Sequence, residues 1–228
     1  MAKFGRKICY HQVIPYNYQR FSCKKNEGYL KVIPIGVDFQ FAITDSWSIG
    51  GMTSWYGVPL IVTSKYSFEL DRTLHVSAGF LYGNLLHGAQ IFIGGDPFSV
   101  GGGIGFGNIT FGADERNINI SGGYGFVHQS FTQIDPATLE YLGTEIRADG
   151  TVMFSIAGMY RFSEQGTFIF DSMGLLVDGE IFYGINPAIR YSPKPYHIWQ
   201  FGIGIGGSSD FLVPIPLPMI SFTKVFKK

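Results

Sequence analysis

Apolar and polar residues alternate over most of this chain, and this period of two limits what it can fold into. The clearest run is 117–126, where one parity holds Ile118, Ile120, Tyr124 and Phe126 and the other holds Asn117, Asn119, Ser121, Gly123 and Gly125. Similar runs occupy 37–43, 74–82, 152–162 and 199–206. Successive side chains of a strand point to opposite faces, and each run approaches the roughly 9–11 residues with which a tilted strand crosses a bilayer. The pattern predicts β-strands with one apolar and one polar face.

The composition of the polar face separates a membrane barrel from a soluble one. In a soluble lipocalin-like barrel, that face meets water and should be rich in Lys and Glu. Here it is mainly Gly, Ser, Asn, Gln and Thr, and only 15% of all residues are charged, against about 25% in soluble domains. Aromatic residues, 16% of the chain, gather near strand ends, as they do at membrane interfaces. We therefore expect the apolar face to meet lipid and the polar face to line a lumen.

Short polar turns alternate with more varied links along the chain. The short turns are predicted at 44–46, 71–73, 114–116, 163–166 and 192–195, and the other links at 86–97, 127–149, 177–180 and 208–212, with a bend near 57–59. Counting from Tyr29 gives eleven strands, and the N-terminal sequence KICYHQVIPYNY is the candidate for a twelfth. We predict an all-β, antiparallel up-and-down transmembrane β-barrel of about 12 strands. Both chain ends should lie on the short-turn side, and 127–149 should be the longest connection, on the outer surface.

The chain of 228 residues fits one domain. Residues 1–28 are expected to be an N-terminal segment, either the first strand or the remainder of a shortened extension, and residues 29–228 the barrel. The opening MAKFGRKICYHQ is basic but has no apolar segment of a secretory signal. Cys9 and Cys23 lack metal-ligand spacing, and they either pair in an oxidising compartment or stay free thiols. Formal net charge is zero, and no long basic run indicates a nucleic-acid partner.

Several segments resemble one family. KKNEGYLKV, FAITDSWSIGGM, GGIGFGNITFGADERNINISGGYGF and MYRF are similar to segments of uncharacterised outer-membrane β-barrel proteins of Bacteroidetes-type bacteria. Those proteins show a KKGEGYY opening, an YGITDNFSIG hairpin and a Gly-rich hairpin ending in GYGF. The resemblance covers most of the chain from about Lys24 onward, and its motifs are hairpin signatures without chemistry. It implies an outer-membrane location, with lipid as the surrounding partner, and no particular activity.

Motifs that carry chemistry are absent from the sequence. GGGIGFG lacks the Lys–Ser/Thr pair and the following helix of a phosphate-binding loop, and there is no HExxH, CxxC, GxSxG or EF-hand loop. We therefore expect no cofactor, no metal and no enzyme. The alternative is a hydrolase at the loop-side rim, where a His would serve as general base. Its candidate residues are His87, Asp96, His128, Asp135, Asp178 and Asp210.

Polar and ionisable residues on the polar parity are the candidates for lining the lumen. They are Asp38, Lys65, Glu69, His75, Asn119, Arg161, Asp171 and Arg190. Charges of both signs facing one narrow interior form either a salt-bridged plug or the lining of a channel that biases which solutes pass. The first hypothesis is a narrow passive pore or small-solute transporter. The second is a non-conducting binding or structural barrel, for example a subunit of a cell-envelope assembly with protein partners.

Overall fold

The chain folds into a closed antiparallel barrel. The computed structural model describes residues 25–55, 59–85, 98–113, 115–134, 141–194, 196–209 and 215–226. Within them lie twelve strands: β1 Gly28–Ile33, β2 Gly36–Ala42, β3 Trp47–Ser54, β4 Leu60–Asp71, β5 Leu74–Leu85, β6 Phe98–Ala113, β7 Arg116–Ile134, β8 Tyr141–Arg161, β9 Gly166–Val177, β10 Glu180–Lys194, β11 His197–Ser208 and β12 Ile215–Phe226. Each strand pairs with the next, and β12 returns to β1 with Phe226 opposite Gly28. The predicted fold class and strand number are confirmed.

The two faces of the wall have the predicted chemistry. On β7, Ile118 and Ile120 are 55% and 50% exposed, while Asn117 and Asn119 are 5% and 4% exposed. Apolar side chains project outward in the same way on strands all around the barrel. Burial is therefore inverted relative to a soluble protein, because the polar side chains fill the inside and the apolar ones face the membrane. No described residue belongs to a helix long and apolar enough to cross a membrane.

Aromatic side chains form a band on the outer surface near the end where the chain enters and leaves the barrel. Trp47, Tyr191 and Trp199 all lie there and are 39–45% exposed. The indole N–H of Trp47 donates to Ser64 Oγ at 2.9 Å, and Trp199 packs on Phe222 with ring centroids 4.8 Å apart. Such rings prefer the boundary between hydrocarbon and head groups, so the band marks one edge of the membrane.

The first strand of the barrel is not the one expected from the sequence. The stretch counted as a single strand after Tyr29 is divided by a turn at Pro34 and Ile35 into β1 and β2, so the twelve strands are complete between Gly28 and Phe226. The candidate strand KICYHQVIPYNY and both cysteines lie outside the described residues. The barrel starts one residue before the predicted boundary at 29, and both of its ends lie on the side of the short turns, as predicted.

The longest predicted connection is mostly strand, so that prediction is wrong. β7 continues to Ile134 and β8 begins at Tyr141, with paired residues from Val127 opposite Asp149 up to Ile134 opposite Tyr141. A hairpin that rises above the membrane has water on both faces and needs no apolar parity, so the alternation that reveals strands is lost there. The link predicted at 177–180 is also tighter than expected. Asp178 and Gly179 both have positive φ, as in the two-residue turns that join hairpin strands.

The barrel wall has an uneven height. β1, β2 and β3 have 6, 7 and 8 residues, whereas β7 and β8 have 19 and 21. Because the start of β1, the end of β12 and the short turns lie at one end of the barrel, these differences appear at the other end. The wall is low at the β1–β2 hairpin and tall at the β7–β8 hairpin.

Candidate functional site: the interior of the barrel

Apolar side chains line part of the interior at the short-turn end. Tyr29, Ile198 and Val225 pack together there and are 2–4% exposed. A second cluster at the same end joins Ile169 and Ala188, with Met159 against them. These residues occupy inward positions of β1, β8, β9, β10, β11 and β12, which are consecutive around the barrel, so they line one half of its circumference. We call these six residues the apolar layer.

A layer of four charged side chains lies next to the apolar layer. Lys31, Asp38, Asp171 and Arg190 are 8%, 3%, 1% and 7% exposed. Lys31 of β1 is directly opposite Asp38 of β2, and Coulombic attraction also links Asp171 of β9 to Lys31 and Arg190. Two acidic and two basic side chains therefore project into the same half of the lumen, from β1 and β2 and from β9 and β10. We call these four residues the charged layer.

Polar neighbours hold the charged layer in place. The hydroxyl of Tyr29 donates to the two carboxylate oxygens of Asp38 at 3.4 and 3.3 Å. Arg190 donates to Gln200 Oε1 on the adjacent strand at 3.5 Å. Neither carboxylate oxygen of Asp171 has a hydrogen-bond partner within the described part of the chain. Lys31 and Arg190 are the groups that oppose the cost of burying this carboxylate, since a buried charge needs compensation.

The opposite wall of the lumen is polar but uncharged. Across β5 and β6, Asn108 donates to Ser77 Oγ at 3.2 Å. Across β6 and β7, Asn119 donates to Thr110 Oγ1 at 2.9 Å, and Ser121 in turn donates to Asn119 Oδ1 at 2.8 Å. These short amide and hydroxyl side chains satisfy one another within the wall. The charge in the lumen is thus concentrated on the side formed by β1, β2, β9 and β10.

The structure brings some of the sequence-predicted lumen residues together and leaves others apart. Asp38, Asp171 and Arg190 belong to the charged layer. Asn119 and His75 are inward and at most 9% exposed on the uncharged wall, and Lys65 is inward on β4 and half-buried.

Glu69 and Arg161 have the inward parity but lie beside the short turns, where both are exposed. Arg161 is 3.9 Å from Glu115 there.

Sequence reasoning missed Lys31, the fourth member of the charged layer. Its signal was present, because Tyr29 and Lys31 alternate with outward Leu30 and Val32. However, β1 has only 6 residues, and a run this short does not show a period convincingly. Gln200 was placed on the polar parity of its strand, but nothing in the sequence indicated its contact with Arg190.

The residues considered for a rim hydrolase do not assemble in the described structure. His87, Asp96, Asp135 and Asp210 lie outside the described residues. His128 belongs to β7, on the same parity as the outward Phe126, with ring centroids 6.1 Å apart. Asp178 is exposed in the turn between β9 and β10.

A closed barrel of twelve antiparallel strands with an apolar outer surface, an aromatic band and a polar interior is the architecture of outer-membrane β-barrels. The chain is an outer-membrane-type transmembrane β-barrel protein. No family model matches the chain, and no curated protein matches it.

Solved structures do match the fold. The chain is similar to the NanC porin, with 12% identity, 89% of this chain and 98% of that chain covered, and a TM-score of 0.52. It also aligns with the CymD monoaromatic hydrocarbon channel at 9% identity over 90% of each chain, with a TM-score of 0.40. OmpT, an outer membrane protein of Vibrio cholerae, aligns at 11% identity over 88% of this chain and 95% of its own, with a TM-score of 0.30. The likeness to the NanC porin supports the shared barrel fold, and the two lower scores carry no argument.

Proposed function

We propose that this chain is a narrow outer-membrane pore for small solutes, with the charged layer as its constriction. The observation that carries the proposal is the meeting of Lys31, Asp38, Asp171 and Arg190 inside a closed barrel. Ionisable groups that line a membrane path bias which solutes pass. The NanC structure is described as that of a porin, and its fold supports the same role here. The motif resemblance to barrels of Bacteroidetes-type bacteria is part of this proposal.

If the charged layer sets ion selectivity, single substitutions in it should change that selectivity in defined directions. Asp171→Asn leaves an excess of positive charge and should shift the reversal potential in a KCl gradient towards anion preference. Arg190→Gln should shift it towards cation preference. The double variant restores the balance of charge, so its reversal potential should return towards that of the wild type. Planar-bilayer recordings of purified protein measure all three.

Asn108→Ala is the matched control, because it shortens a buried inward side chain of the uncharged wall. It should leave the reversal potential unchanged. Heat-modifiable migration on a detergent gel checks that each variant has folded. If the channels are steady but neither charge substitution changes their ion selectivity, the charged layer is not the constriction of the pore.

The apolar layer favours a second candidate, a non-conducting binding or structural barrel. Tyr29, Ile198 and Val225 are buried and pack together beside the charged layer. On this alternative the wild-type protein shows no conductance in the bilayer, whereas Ile198→Ala opens steady channels. Steady wild-type channels support the pore instead. The rim hydrolase is not proposed, because His128 and Asp178 lie on different surfaces.

A further inference from the structure

The barrel wall is too low on one side to cross the apolar part of a membrane. A strand tilted by about 40° climbs roughly 2.5 Å per residue along the barrel axis. The 6 residues of β1 thus climb about 15 Å, whereas the apolar band of such barrels is about 25 Å tall. Trp55 fixes the top of this hairpin, since its indole N–H donates to Pro34 O at 2.8 Å and its backbone N–H to Ile35 O at 3.2 Å. The low wall is therefore a defined part of the fold.

Among the described residues, the upper part of the neighbouring strand β12 has no partner on that side. The last pair between the two strands is Val32 with Phe222, yet β12 extends back to Ile215 and stays paired with β11 along this length. We call the opening between this upper part of β12 and the β1–β2 hairpin the seam.

Two prolines of β12 fit an edge that stays unpaired. Val225 donates its N–H to Tyr196 O on the β11 side, and alternate residues of a strand bond to opposite neighbours. Pro216 and Pro218 have the other parity, so their nitrogens face the seam. Proline lacks an N–H and is confined to edges of sheets, so another strand cannot form a regular ladder there. The sequence itself keeps the seam open.

A cavity of about 100 Å³ lies at this place and has walls on both sides of the seam. Ile33 and Ile35 line it from the hairpin, and Met219 and Ile220 line it from β12. Ile220 has the outward parity and is 50% exposed, whereas the same cavity also reaches the buried Asp38. The cavity therefore lies in the lumen just above the charged layer and adjoins the seam.

The inner end of the cavity offers hydrogen bonds that the described residues do not use. Asn186 and Ser221 both line it, and their buried Oδ1 and Oγ atoms have no hydrogen-bond partner among the described residues. Their side chains belong to residues only 3% and 7% exposed. A hydroxyl group can donate to the amide oxygen and accept from the serine hydroxyl. The outer end is apolar, with Met52 and Met219 as adaptable walls.

We propose that the seam is a lateral port for small uncharged amphiphiles with a hydroxyl head and a short alkyl body. The head binds Asn186 and Ser221, and the alkyl body leaves between β12 and the hairpin into the lipid. An uncharged head group fits because the opposite charges of Lys31 and Asp38 compensate each other. An engineered cavity of about 150 Å³ holds benzene, so this smaller one accepts the head and first carbons, and the rest must extend outward. This inference rests on the proposed pore and names its solute class and exit.

Photolabelling tests the port. The protein in lipid nanodiscs is irradiated with a six-carbon aliphatic diazirine alcohol, and labelled positions are read by mass spectrometry. The matched probe is the diazirine alkane of the same length. The alcohol should label Ile33, Met52 and Met219 about five-fold more than the alkane does, a ratio that matches one or two hydrogen bonds. Labelling restricted to outward side chains, or equal labelling by both probes, would overturn the port.

Two variants separate the port from general lipid contact. Met219→Trp fills the cavity and should reduce labelling of Ile33 and Met52 several-fold, whereas Ile109→Trp, on the far outer wall, should leave it unchanged. Asn186→Ala removes the acceptor and should bring the alcohol-to-alkane ratio close to one. If the labelling survives Met219→Trp in folded protein, the cavity is not the binding site.

Ion conductance of the same preparations distinguishes the two proposals. Steady channels without seam labelling would refute the port and keep the pore. Seam labelling in a protein that never conducts would refute the pore and reduce the port to a binding site open to lipid.

Discussion

At the scale of single residues, neighbours in the chain occupy opposite environments. Ile120 is 50% exposed on the outer wall between the outward Ile109 and Ile156, while Asn119 is buried in the lumen wall with hydrogen bonds to Thr110 and Ser121. The side chain that meets hydrocarbon and the one that meets polar groups are thus one peptide bond apart. Such a pair tests the assignment of faces directly.

Ile120→Arg should therefore damage folding more than Asn119→Arg. An arginine on the lipid face near mid-membrane costs roughly 2–4 kcal/mol, whereas an arginine in the lumen remains among polar groups. Urea-dependent folding into liposomes, followed on detergent gels, measures the difference. Equal damage, or a worse Asn119→Arg, would show that the faces are inverted.

The charged layer shows which residue-scale inferences a sequence permits. Parity alone placed Asp38, Asp171 and Arg190 inside, because each lies in a run long enough to show its period. Parity did not show that they meet, since contact across a barrel depends on the stagger of non-adjacent strands. It also left Glu69 and Arg161 among the lumen candidates, because parity carries no information about the height of a residue in the wall.

At the scale of elements, the Gly-rich β6–β7 hairpin relies on close backbone approach. A Cβ on Gly125 would collide with the carbonyl oxygen of Gly103 on the paired strand. A Cβ on Gly122, three residues earlier, would meet nothing within 4 Å. These glycines thus have different roles within one run.

Gly125→Ala should destabilise the barrel by about 1–3 kcal/mol, the usual cost of overpacking. Gly122→Ala should be neutral or slightly stabilising, because it adds only a methyl group in open space. Urea-unfolding midpoints in the same liposomes compare the two. A Gly122→Ala variant as unstable as Gly125→Ala would contradict close packing as the cause, because Gly→Ala in open space should not lower stability.

Strands were predictable where lipid and lumen impose opposite chemistry on their two faces. The 117–126 run of β7 is the clearest example. The part of the same strand beyond Val127, where both faces meet water, was not predicted as strand. The sequence analysis also counted β1 and β2 as one strand, because each is so short. The seam depends on the short β1–β2 hairpin and on two prolines of β12. Neither feature produces a periodic pattern in the sequence.

At the scale of the whole molecule, the barrel has two unlike ends. The start of β1, the end of β12, the aromatic band around Trp47 and the short turns lie at one end, while the tall β7–β8 hairpin and the seam lie at the other. Outer-membrane barrels have short periplasmic turns and longer extracellular loops. The seam would then open towards the outer leaflet and the apolar layer would lie on the periplasmic side.

An epitope tag inserted between Ile134 and Tyr141 should therefore bind antibody on intact cells. A tag in the connection between Arg161 and Gly166, at the opposite end, should bind only after the outer membrane is permeabilised. Both sites join paired strands, so each variant is first checked for heat-modifiable migration. Surface binding of the second tag alone would reverse the orientation. The low wall would then face the inner leaflet, and a solute leaving through the seam would enter the periplasmic side of the membrane.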